Sequence, residues 1–273
     1  MLWRRVLTYP LTLYYLITIV FAALILSVAG LVHQSAINLA VSAMITLLTC
    51  LGVNRLFSRV LGAKSNWESV CISALIIPLI ITPSEPNNLA SMAFPALVSA
   101  WAMASKYIIA TRKRHVFNPA AFGAAVMGLA FHHTVSWWVG DNTVLLPIIV
   151  LGGALILTRL HYYEMLMAYA MVALGIAVAH SNLSVAGAAS AISMVGIHSI
   201  FCFFGLVILT EPRTAPLGRW RQTIYGAFVG LLFSPYTHVG SYYFTPEVAI
   251  LCGNLFTFFS NRRRIRRLVG AFA

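Results

Sequence analysis

Long apolar runs, separated by short polar loops, recur from one end of the 273-residue chain to the other. Hydrophobic residues make up 60% of the chain and charged residues only 9%, whereas soluble domains carry about 25% charged residues. The apolar pattern also extends far beyond any N-terminal signal peptide. The sequence therefore predicts an all-α polytopic membrane protein.

A membrane-crossing helix needs about 20 apolar residues, and this criterion predicts about ten spans. They lie near 12–32, 35–53, 67–82, 88–105, 118–132, 143–158, 162–180, 197–210, 221–234 and 245–260. Several are shorter than a full crossing, and such helices are tolerated where they face protein or a cavity instead of lipid. The small-residue stretch 184–196 is a candidate re-entrant segment before the eighth span.

The positions of the cations support this count. If the N-terminus is cytoplasmic, all 18 Lys and Arg residues fall on the cytoplasmic side, as the positive-inside rule requires. An arrangement with eight spans would move some of them outside. We therefore predict a multi-pass protein of the inner (cytoplasmic) membrane, in contact with lipid, with both termini in the cytoplasm. The net charge of +12 follows from this pattern and does not indicate nucleic-acid binding.

Two motifs recur in the same order, which indicates an internal repeat. "SALIIPLIITPSEP" (73–86) resembles "FGLVILTEPRTAP" (204–216), and "FNPAAFG" (117–123) resembles "FTPEVAI" (244–250). Thr82 and Pro119 are 37 positions apart, and Thr210 and Pro246 are 36 apart. The predicted single membrane domain thus contains repeats at about 12–132 and 143–260, followed by a basic cytoplasmic tail, 261–273. Each repeat has five spans, and because five is odd the second repeat is inverted relative to the first. Inverted repeats commonly form a site where broken helices meet.

Four segments resemble the RnfD/NqrB family, whose members are membrane components of the Rnf complex and of the sodium-pumping NADH:quinone oxidoreductase. They are "ALIIPLIITP" (74–83), "SKYIIATRKRHVFNPAAFG" (105–123), "LTEPRTAPLGRWRQTIYG" (209–226) and "TPEVAILCGNLF" (245–256). The resemblance implies a fold similar to that of urea transporters, with two inverted five-helix repeats. It also implies a flavin-carrying subunit that relays electrons, together with a partner protein or domain that supplies NAD(P)H or iron–sulfur chemistry.

The chain departs from this family at one point. The family usually carries a Ser-Gly-Ala-Thr signature whose threonine takes FMN covalently, whereas the equivalent loop here reads "FHHTVSWWVGDNTVLLP" (131–147). We therefore expect a non-covalent flavin, either FMN or riboflavin, in a component of a membrane oxidoreductase complex. The alternative is a small-solute transporter or channel that uses the inverted-repeat cavity without redox chemistry.

A flavin phosphate, or the electron-rich N1/O2 edge of a flavin, requires cations or helix N-termini in a low-dielectric site. The candidate cofactor-binding residues are polar groups near the cytoplasmic span ends or inside a span: Lys106, Arg112, Arg114, Asn118, Glu211, Arg213, Thr214 and Asn254. The alternatives are that "RKRH" (112–115) only sets topology, that Glu211 pairs with Arg112 or Arg114, and that Asn254 only joins helices. No catalytic residue is assigned.

Other polar and aromatic residues have simpler interpretations. Glu68 and Glu247 begin predicted spans, where a carboxylate is favoured by the helix dipole, and the alternative for both is a role in proton or sodium binding. The outer-loop aromatics Trp137, Trp138, Tyr242 and Tyr243 are predicted to form an interfacial belt. The four cysteines and eight histidines show neither CxxC spacing nor facing histidine pairs, so no metal or haem site is predicted.

Overall fold

The computed structural model describes residues 8–63, 65–111, 114–181 and 184–270. The helices are α1 (Thr8–Val28), α2 (Ala36–Val60), α3 (Trp67–Ile80), α4 (Leu89–Ile108), α5 (Pro119–Phe131), α6 (Leu146–Leu160), α7 (Tyr163–Ala179), α8 (Val185–Gly196), α9 (Phe201–Phe203), a π-helical turn π1 (Phe204–Ile208), α10 (Arg219–Phe233) and α11 (Pro246–Gly270). Two short antiparallel ribbons pair β1 (Ala110–Thr111) with β2 (Arg114–His115), and β3 (His238–Val239) with β4 (Tyr242–Tyr243). The predicted all-α class is confirmed.

Within the described residues, two helices are long and apolar enough to cross a membrane. They span Tyr9–Val28 and Ala36–Val60, and α8 with the segment Phe201–Ile208 forms a pair bent by 60° that adds a third if it is one span. The remaining apolar helices are shorter, for example 13 residues in α5 and 15 in α6. These helices support membrane association. The number of ten spans stays a prediction.

The most buried helical segments are α3 and π1. Eleven residues of α3 and every residue of π1 are buried, as expected for helices that are apolar on all sides. Each is followed by a Thr and then a proline, at Thr82-Pro83 and at Thr210–Pro212. Proline lacks an N–H and disfavours helical geometry in the residue before it. Both helices therefore end inside the bundle, and the loop after π1 lies among neighbouring helices.

Glycines bring neighbouring helices into backbone contact. A Cβ at Gly226 of α10 would lie 2.1 Å from the carbonyl oxygen of Met165 in α7, and one at Gly230 would lie 2.6 Å from that of Tyr169. A Cβ at Gly123 of α5 would lie 2.2 Å from the carbonyl oxygen of Val98 in α4. Small residues spaced in this way allow close helix packing in membranes.

The middle of the loop between α5 and α6, residues 137–140, is buried in the bundle, while most of the loop on either side is exposed. Trp137 and Trp138 are 2% and 8% exposed. The backbone N–H of Trp137 donates to the carbonyl of Ile80 (2.8 Å), and Nε1 of Trp138 donates to that of Pro78 (2.9 Å). The prediction of an interfacial belt is wrong for this pair, because the loop satisfies carbonyls at the end of α3 that have no helical donor. Tyr242 and Tyr243, in contrast, are exposed.

Candidate functional site

The first residues of α5 lie at the centre of the candidate site. Asn118 is the N-cap residue, and its Oδ1 accepts a hydrogen bond from the backbone N–H of Ala121 (3.0 Å). Pro119 occupies the first helical position, where its missing N–H costs no helical bond. Asn118 is 1% exposed. The Asn-Pro sequence therefore determines locally where this helix begins, and it begins inside the protein.

Asn254 of α11 holds that helix start in place. Its Oδ1 accepts the backbone N–H of Asn118 (2.7 Å), and its Nδ2 donates to the hydroxyl of Tyr225 in α10 (3.2 Å). Asn254 and Tyr225 are both completely buried. These contacts support the helix-joining role of Asn254. They also add Tyr225, which was not predicted because an aromatic residue in an apolar span gives no distinguishing signal.

Lys106 points into the protein from the last turn of α4. Its side chain is 8% exposed, and Nζ donates to the carbonyl oxygen (2.6 Å) and the Oγ (3.2 Å) of Ser69 in α3. Within the part of the chain that is described, no carboxylate oxygen lies within 4 Å of this ammonium group. Ser69 was not predicted as a site residue, although Ser69 and Ser73, four residues apart in an apolar helix, were a detectable signal.

Glu211 follows π1 in a loop and faces this cluster. Its Oε2 and its carbonyl oxygen both lie 3.4 Å from Oγ1 of Thr214, which is 1% exposed. Burial raises the pKa of the Glu211 carboxyl to about 7, against the opposing effects of the charges on Lys106 and Arg213 and of bonds from Thr214 and Asn118. The carboxyl is therefore able to change protonation state near neutral pH.

Arg213 reaches the ribbon formed by β1 and β2. Its NH1 lies 3.0 Å from Nε2 of His115, and its guanidinium group stacks 5.3 Å from the ring centroid of Tyr9. Burial, followed by the charges of Lys106 and Arg213, lowers the pKa of His115 well below its usual value. A neutral imidazole accepts at Nε2, so the pair is a hydrogen bond from Arg213 to His115. Neither His115 nor Tyr9 was predicted from the sequence as a site residue.

The structure brings together the six predicted site residues whose side chains it describes: Lys106, Asn118, Glu211, Arg213, Thr214 and Asn254. The other two are not placed. Arg112 lies outside the described residues, and only the backbone of Arg114 is described, in β2. The predicted pairing of Glu211 with Arg112 or Arg114 therefore stays a prediction.

A small cavity lies beside the cluster. Its polar lining consists of Tyr9, Thr12, Ser69, Ser73, Asn118, Thr210 and Glu211, and the remaining lining residues are apolar, among them Ile72, Ile156 and Leu206. Its volume is about 30 Å³, which is room for about two water molecules. The site thus combines a titratable carboxyl group, two nearby cations and a small cavity with polar groups in its lining.

The raised pKa of Glu211 predicts that stability depends on pH. The folded protein holds this proton up to a pH of about 7, whereas the unfolded chain releases it near 4.5. The stability due to the raised pKa is therefore fully present below pH 4.5 and is lost as pH rises through about 7. Melting temperatures in detergent should fall across this window for the wild type and much less for Glu211→Gln. Glu85→Gln, at an exposed position, should follow the wild type. Equal slopes for all three proteins would contradict this prediction.

Comparisons with known proteins leave the family of the chain open. None of the models that describe known protein families matches the chain, and no curated protein matches it.

Proposed function

We propose that the chain is a membrane subunit of an electron-transport oxidoreductase system similar to Rnf and the sodium-pumping NADH:quinone oxidoreductase. In this proposal it relays electrons within or across the membrane, with a non-covalent flavin and a partner that supplies NAD(P)H or iron–sulfur chemistry. One observation carries the proposal: the segments 105–123, 209–226 and 245–256, on which the resemblance rests, meet at the buried cluster. Asn118 and Asn254, 136 positions apart, form a hydrogen bond there, and Lys106 and Arg213 act on Glu211.

The helix contacts support the proposed architecture of two inverted five-helix repeats. If the repeats are related by a two-fold axis, α1 corresponds to α6, α2 to α7, α3 to π1, α4 to α10 and α5 to α11. α2 packs on α4 as α7 packs on α10, and α4 packs on α5 as α10 packs on α11. α1 packs on α6, and α5 packs on α11, as expected for elements beside such an axis. This arrangement fits ten spans with both termini in the cytoplasm.

The charges of the cluster suit a flavin, but the volume of the adjacent cavity does not. Lys106, Arg213 and the N-terminus of α5 would favour the electron-rich edge of a flavin ring. A cavity of about 30 Å³ holds about two water molecules, and a three-ring flavin does not fit it. We therefore place the proposed flavin outside this cavity. No electron-transfer step is assigned to the cavity.

The proposal is tested by the chromophore of the purified protein. We expect a gently purified sample to show flavin absorbance, and acid extraction to release about one FMN or riboflavin per chain, because no flavinylation signature is present to hold it covalently. Arg213→Gln should lower the flavin content. Arg219→Gln, which removes a cation with 85% side-chain exposure, is the matched control and should retain it. A colourless protein that takes up neither flavin would overturn the redox proposal.

One observation favours the second candidate function, a small-solute transporter or channel. The cavity is lined from α1, α3 and α5 on one side and from α6 and π1 on the other, so both proposed repeats contribute to it. Its water-sized volume suits a small polar solute better than a flavin. Solute flux into liposomes that contain the flavin-free protein, but no redox partner, would support this function and oppose the first.

A further inference from the structure

Glu211 is the one carboxylate among the described residues that line the cavity, and it is accompanied by hydroxyl groups. Oγ1 of Thr210 donates to the carbonyl of Leu206 (2.6 Å), and Oγ of Ser73 donates to that of Ser69 (3.2 Å). Each hydroxyl already donates its proton to a backbone carbonyl, and its oxygen can still accept a hydrogen bond from water. A cavity of this volume with several hydroxyl groups in its lining offers bound water the partners that it needs.

The charged groups near Glu211 approach it from several elements without forming a close ion pair. Lys106 comes from α4 and is held by Ser69, and Arg213 in the same loop is held by His115 of β2 and stacks on Tyr9 of α1. Tyr225 of α10 is also within electrostatic range. Among the side chains that the structure describes, which do not include those of Arg112 and Arg114, no Lys, Arg or His nitrogen lies within 4 Å of the Glu211 carboxylate. A close ion pair would hold the carboxylate charged, whereas Lys106 and Arg213 favour its charged form only from a longer distance.

We propose that Glu211 and the adjacent cavity form a proton-binding site, in which water held by the surrounding hydroxyl groups delivers a proton to the carboxylate and removes it again. On loading, an O–H bond of a cavity water breaks, its proton forms an O–H bond with a carboxylate oxygen, and the hydroxide left behind takes a proton from solvent to become water again. No electron moves, and the net charge of the cluster rises by one. The site goes beyond the proposed electron-transport function and does not depend on a bound flavin.

A proton-binding role for Glu211 makes a prediction that a purely structural role does not. A group that only links two loops would stay ionised, or stay protonated, throughout the neutral range. A proton-binding site instead changes state there and exchanges with water. The pKa of about 7 for Glu211 agrees with such a change.

Infrared difference spectroscopy of the full-length, flavin-free protein in lipid nanodiscs tests the proposal. The chain contains only six Asp and Glu residues, so a protonated carboxyl band is readily assigned. We expect a C=O band that appears as the pH falls through about 7 and shifts in D₂O. It should be absent from Glu211→Gln and retained in Glu85→Gln. The second control is Glu247→Gln, because Glu247 is a buried carboxylate that accepts a bond from Trp137 (3.0 Å).

The outcomes separate clearly. The proposal is overturned if the wild type shows no such band, or if the band fails to shift in D₂O. It is also overturned if the band survives in Glu211→Gln or disappears only in Glu247→Gln. If Glu211→Gln does not fold, Glu211→Asp serves instead, because it keeps a carboxyl group at a changed distance. Its band should titrate at a shifted frequency, and an unshifted band would assign the signal to another residue. None of these results depends on whether the protein carries a flavin.

Discussion

Gly226→Ala is expected to destabilise the protein by about 2 to 3 kcal/mol, because overpacking a tight contact costs about 1 to 3 kcal/mol and this contact is unusually close. The new Cβ would lie 2.1 Å from the carbonyl oxygen of Met165 and 2.9 Å from its carbonyl carbon. Both are backbone atoms of α7, so relief requires the two helices to separate. The gain in helix propensity from Gly to Ala, about 1 kcal/mol, offsets only part of this cost.

Gly175→Ala is the matched control for this prediction. Gly175 also lies within a helix, α7, but a Cβ added there meets nothing within 4 Å. This variant should be as stable as the wild type or slightly more stable, because the higher helix propensity of alanine is then the only effect. Chemical denaturation in mixed detergent micelles measures both variants. If Gly226→Ala were as stable as Gly175→Ala, the close contact between α7 and α10 would be wrong.

Asn254→Leu is expected to cost about 2 to 4 kcal/mol and to loosen the start of α5. Leucine has a similar size but leaves the buried N–H of Asn118 without its acceptor and the hydroxyl of Tyr225 without its donor. An unsatisfied buried polar group costs about 1 to 3 kcal/mol. Since Asn118 and Glu211 belong to the same cluster, the shift in α5 should also alter the infrared carboxyl signal.

Two further variants separate the hydrogen bonds from the change in shape. Thr257→Val, in the same helix, removes a buried hydroxyl that has no hydrogen-bond partner among the described residues, and it should be neutral or stabilising. Asn254→Asp, when its carboxyl is protonated at low pH, keeps an acceptor for the N–H of Asn118 and a donor for Tyr225 without burying a charge, so it should recover part of the stability at low pH. Denaturation midpoints of the three variants give the comparison. Equal losses for Asn254→Leu and Thr257→Val would show that the asparagine bonds contribute nothing.

The sequence alone determined the features that depend on local chemistry. Apolar composition specified a helical protein with membrane-type segments, since backbone groups in lipid must be paired within helices. The proline-containing turns after α3 and π1 and the Asn118-Pro119 start of α5 were recognisable because proline and N-cap residues restrict the backbone directly. The candidate residues with described side chains also meet at one site, which shows that polar groups placed in apolar surroundings are an informative pattern.

The tertiary structure decided which side chains surround that site and which loop side chains are buried. Trp137 and Trp138 looked like surface aromatics, but unpaired carbonyls at the end of α3 draw their loop inward. Ser69, His115 and Tyr225 joined the cluster through bonds to residues 37, 98 and 29 positions away. No local rule predicts such partners, because the free energy of burying a polar group depends on the atoms that distant segments bring to it.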